Sequence, residues 1–120
     1  MAQNAPVDTA AELADMKSLK TALTLKSDSL KADGARLQVE TDSILAKIAT
    51  DSAALEEIKA ADPVGHKAYI KNQEKLLQLF RGQVARWKQD IESQKAELKK
   101  AADLVKEIDD RIAALERRAG

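Results

Sequence analysis

Residues 70–115 read IKNQEKLLQLFRGQVARWKQDIESQKAELKKAADLVKEIDDRIAAL, and their spacing decides the fold. With Ile70 as heptad position a, the a series runs Ile70, Leu77, Val84, Ile91, Leu98, Val105 and Ile112, all aliphatic. The d series runs Gln73, Phe80, Trp87, Gln94, Ala101, Ile108 and Leu115. Apolar residues repeating every 3.5 positions over seven heptads specify a coiled-coil helix, because the repeat keeps one stripe facing a partner helix. The preceding half follows a looser version of the pattern. Its d positions are Met16, Leu23, Leu30, Leu37, Ile44, Asp51 and Ile58; its a positions are Leu13, Lys20, Ser27, Gly34, Thr41, Ile48 and Leu55.

Between the two halves lies the one strong breaker, Ala61-Asp62-Pro63-Val64-Gly65-His66. Proline disfavours a helical conformation in the residue before it and suits the first position of a new helix. Helix 1 is therefore expected over about residues 10–60, a turn over about 61–65 and helix 2 over about 66–118. Thr9-Ala10-Ala11-Glu12 fits a capping box, which would leave residues 1–9 as a flexible N-terminal segment. A connector this short brings neighbouring helices together antiparallel. The expected fold is all-α: two long helices in an antiparallel coiled-coil hairpin, expected to be oligomeric. Matching Ile58 to Ile70 sets the register and places Ile48 against Phe80, Thr41 against Trp87, Ser27 against Ala101 and Gly34 against Gln94. Small or polar residues of helix 1 then meet mostly bulky or polar ones of helix 2, the complementarity that a packed seam needs.

Composition agrees and narrows the function. The chain has 120 residues, 20 basic and 20 acidic, with no cysteine and one histidine. Disulfides and thiolate chemistry are excluded. Residues 1–60 carry 7 bases and 10 acids, residues 61–120 carry 13 and 10, so the halves attract. His66 lies in the turn without the convergent ligands that a metal needs. Glu56-Glu57 and Asp109-Asp110 are adjacent pairs, which diverge on a helix and read as solvated surface. No phosphate loop, nucleophile elbow or zinc spacing occurs. No catalytic, cofactor-binding or metal residues are expected, and no cofactor. Lys99-Lys100 and Arg117-Arg118 are balanced by acids and lack stacking aromatics, so nucleic acid is not expected as a partner. Asp51 and Lys20, the ionisable seam residues, read as register markers. No apolar run approaches the ~18 residues of a spanning helix. The first residues lack a signal-peptide pattern, which makes the cytoplasm the default location.

One pattern does not belong to an isolated hairpin. The f positions of helix 1 face away from the seam, yet they read Ser18, Leu25, Ala32, Val39, Ala46, Ala53 and Ala60, with Ala14, Ala35 and Ala49 beside them. Helix 2 adds Leu76, Leu79, Ala85 and Leu104 off its own seam. Alanine is the best helix former and needs no partner. Leu25, Val39, Leu76 and Leu79 are not explained by propensity. Leu25, Ala32, Val39, Ala46, Ala53, Leu76 and Leu79 are therefore the candidate interaction face. The expected function is a non-enzymatic structural or assembly subunit that self-associates by helical packing. The alternative is an adaptor or secretion-type chaperone holding another protein's helix. A membrane-surface amphipathic protein ranks third, because aromatics are few and the charge is balanced.

Overall fold

The computed structural model describes residues 5–119, with side chains from residue 8 onward. Two helices, α1 (Ala5–Ala61, 57 residues) and α2 (Lys67–Ala119, 53 residues), form an all-α antiparallel coiled-coil hairpin. Every a and d position named above, on both helices, is buried or half-buried. Almost every position outside that frame is exposed. The seam is thus the hydrophobic core, as the heptads require.

Two compact segments make up the hairpin. In the turn-proximal segment, residues 34–93, Ile48, Leu55, Leu77 and Val84 form a buried cluster, with Ile44, Ile70 and Phe80 packed against it. Ile48 and Phe80 thus belong to one core, as the register requires. Thr41 is fully buried, and its Oγ1 donates to the Leu37 carbonyl at 2.7 Å, so the hydroxyl enters the seam satisfied. Arg81 donates to Ser52, and Lys59 pairs with Glu74. From 52 to 59 the numbering climbs one heptad while 81 to 74 falls one, the mark of antiparallel register. In the other segment, residues 8–33 and 94–119, the buried residues are Ala101, Ile108 and Leu115. Its flanks are tied by Arg111 to Glu12 (2.6 Å), Lys20 to Asp109 (2.6 Å) and Lys17 to Glu116 (3.8 Å). These pairs are half exposed, and each contributes about 0–1 kcal/mol, so they tune register more than they hold the fold.

At its N-terminus α1 departs from expectation. It already runs through residues 5–9, so Thr9 lies inside the helix and does not cap it, and residues 5–9 are not a separate segment. Residues 1–4 lie outside the described residues. The physical reason is local: Pro6 falls in the first turn, where its missing amide costs no helical hydrogen bond. Asp8 in the same turn complements the positive end of the helix dipole.

The turn follows the breaker closely. The Asp62 amide closes α1 on the Ile58 carbonyl at 3.0 Å. The Asp62 carboxylate then accepts from the Gly65 amide at 2.9 Å, capping the turn rather than α2 itself. The first α-type bond into α2 runs from the Ile70 amide to the His66 carbonyl, 2.8 Å. A Cβ on Gly65 would come within 2.8 Å of Asp62 Cγ, so this glycine makes room for the cap. Gly82 differs: a Cβ there would meet nothing within 4 Å.

Core and surface substitutions should separate cleanly. Leu77→Ala removes a buried side chain from the cluster and should cost about 2–5 kcal/mol in denaturant unfolding. Gly82→Ala should gain up to about 1 kcal/mol, since it adds helix propensity and touches nothing. A Gly82→Ala hairpin less stable than wild type would contradict this packing.

For the turn, Gly65→Ala should displace the Asp62 carboxylate and cost about 0.5–2 kcal/mol, the worth of a lost cap. Pro63→Ala should cost less, because the seam still specifies pairing. Equal effects from the two variants in thermal unfolding would refute the cap assignment.

Candidate interaction face

A coiled-coil helix presents positions b, c and f to solvent, and α1 fills its f positions almost entirely with apolar residues. All of its b, c and f positions from residue 14 to 60 are exposed. Leu25 is 65% and Val39 68% accessible, and Ala32, Ala46 and Ala53 are exposed with them. Leu25 and Ala32 belong to the 8–33 segment; Val39, Ala46 and Ala53 belong to the turn-proximal one. With Lys20, Ser27, Gly34, Thr41 and Asp51 in its seam and apolar residues at its f positions, α1 has almost no net amphipathicity, whereas α2 is strongly amphipathic.

On α2 the two candidate leucines part company. Leu79 sits at an outward c position and is 69% accessible. Leu76 sits at g beside the seam and is 40% accessible, so the hairpin itself covers much of it. Leu19, Leu45 and Leu104 are likewise partly covered at e or g positions. Sequence reasoning passed over Leu19 and Leu45, as well as the exposed Val64 and Tyr69 near the turn. The heptad letter carried the distinction: leucine at e or g shields a seam, whereas leucine at b, c or f does not.

Polar groups around this face are organised mainly by short-range pairing. Asp51, at its seam position, pairs with Lys47 one turn earlier at 3.1 Å, and Lys20 pairs with Asp109, so both ionisable seam residues are compensated. The ammonium of Lys47 also lies 5.9 Å from the centre of the Phe80 ring. Lys59, Lys71, Glu74 and Arg81 line an open groove with Leu55 and Leu77. Within it the hydrogen bond to Glu74 at 2.8 Å, aided by Glu56, holds the Lys59 ammonium above its ordinary value of 10.5. A raised lysine value means this stabilisation is complete at neutral pH and is lost only as pH rises through the alkaline titration.

His66 Nδ1 lies 3.1 Å from the Asp62 carbonyl oxygen, a contact internal to the turn. Among the described residues, no group of three or more His, Cys, Asp or Glu is placed to hold a metal ion. No helix among them is long and apolar enough to cross a membrane. The α1 face presents exposed small side chains at Ala32, Ala46 and Ala53 beside Leu25 and Val39. No protein-family model, curated protein or solved structure matches the chain.

Proposed function

We propose that this protein is a non-enzymatic assembly subunit that self-associates through the outward face of α1. One observation carries the reading. Every seam position is buried or half-buried, yet apolar side chains also occupy outward f positions of α1, where Leu25 and Val39 stand about two-thirds accessible among alanines. Polar residues would form helix there equally well, so apolar ones are a cost to solubility unless something covers them. Burying such side chains is worth roughly 25 cal/mol per Å² of apolar surface removed from water. Alanine neighbours let the covering helix come close enough to collect that gain.

Val39→Glu or Ala46→Glu should dissociate the assembly while leaving helicity unchanged, because each places an unpaired carboxylate in the contact without touching the seam. Molar mass by light scattering, read beside circular dichroism, is the check. Variants that keep the mass of the wild-type assembly would refute self-association through this face. A wild type that stays at 13.1 kDa and instead binds another protein's helix would move the protein to the adaptor class.

A further inference from the structure

The proposed assembly needs a surface that fits α1, and the hairpin carries one on its other helix. In the turn-proximal segment, the outward b, c and f positions of α1 from residue 35 to 60 hold the charged residues Arg36, Asp42, Glu56 and Glu57, a net charge of −2. Between them lie Ala35, Val39, Ala46, Ala49 and Ala53. The outward positions of α2 from residue 71 to 93 hold Lys71, Lys75, Arg86 and Glu92, a net charge of +2. All of these positions are exposed. In the 8–33 and 94–119 segment the signs repeat. Outward α1 has Asp8, Asp15 and Asp28 without a base, whereas outward α2 has four bases (Lys99, Lys100, Lys106, Arg117) against three acids (Asp103, Glu107, Asp110).

We infer that the α1 face of one copy is covered by the outward α2 face of a second copy, a head-to-tail contact. This inference rests on the self-association proposed above and specifies its geometry. Two α1 faces brought together would set like net charge against like, which disfavours a symmetric α1-to-α1 dimer. The α1-to-α2 contact sets opposite charges together at the rim. At its centre, Val39 and the alanines of α1 meet the small apolar patch of Leu79, Gly82 and Ala85 on α2. Leu79 is the most accessible leucine of the chain. Gly82 leaves open space beside it that no group of the hairpin fills. Glycine inside an exposed helix lowers stability with no return from the hairpin, whereas a helix arriving from outside can use the room. Lys71 and Lys75 are exposed on this side of α2. A contact between two different faces leaves one of each unused on a pair of chains, so further copies add until a ring closes or a filament grows.

The test uses two full-length variants, each blocked on one face. Val39→Glu with Ala46→Glu blocks α1; Leu79→Glu with Arg86→Glu blocks α2. Helical circular dichroism confirms that both remain folded, since all four positions are exposed. Each variant alone should stay at the 13.1 kDa monomer mass, and an equimolar mixture should double it, because each supplies the face that the other lacks. The mixture should stop at the dimer, while wild type exceeds it. If the α2-blocked variant alone still assembles like wild type, the head-to-tail contact is wrong while self-association through α1 stands. If both variants are monomeric and the mixture stays monomeric, the pairing of these two faces is likewise overturned. A monomeric wild type overturns both readings.

Discussion

Everything in this molecule depends on the apolar seam between α1 and α2. Neither helix has another core: the buried apolar residues all sit at a or d positions, and the flanking ion pairs are too exposed to replace them. The seam is uneven in a useful way. Helix α2 supplies an unbroken aliphatic a series, opposed in the antiparallel register by the mostly aliphatic d series of α1, while α1 carries lysine, serine, glycine and threonine at a positions 20, 27, 34 and 41. The fully buried Thr41 is tolerated because its hydroxyl donates to its own helix. The turn adds direction. With the Asp62 carboxylate on the Gly65 amide, the reversal is short and turns α2 back antiparallel to α1.

Satisfying the seam leaves the chain with a problem at its surface. A two-helix hairpin buries one stripe per helix, and α1 carries further apolar residues at its exposed f positions. The surplus stripe has no use inside the hairpin, and α2 has no matching excess. Its outward face is polar, basic and centred on a small apolar patch. Stacking such hairpins head to tail covers the surplus without asking either helix to change.

Much of this was legible in the sequence, because both the fold and the exposed stripe follow from one period. The heptad letters placed every seam residue inside, and Asp62-Pro63 located the turn to within a residue or two. Thr9 misled because a capping box is a four-residue pattern, whereas the start of a helix also depends on what precedes it; Pro6 and Asp8 suit a first turn as well. Leu76 and Leu79 looked equivalent as off-seam leucines, but side-chain direction separates them, since a g residue leans on the seam and a c residue does not. The occupant of the outward face is a different kind of question. Its burial depends on a second molecule, and within one chain only charge and shape on the complementary surface bear on it.

The absence of cysteine allows that question to be asked at one atom. An Ala46→Cys chain carries a single thiol at the centre of the α1 face, and its rate of modification by a small thiol reagent can be followed as protein concentration is raised. The thiol should react freely at high dilution and become progressively protected as copies assemble over it. A modification rate that stays the same across the whole concentration range would mean that nothing covers this face, and would contradict the central claim.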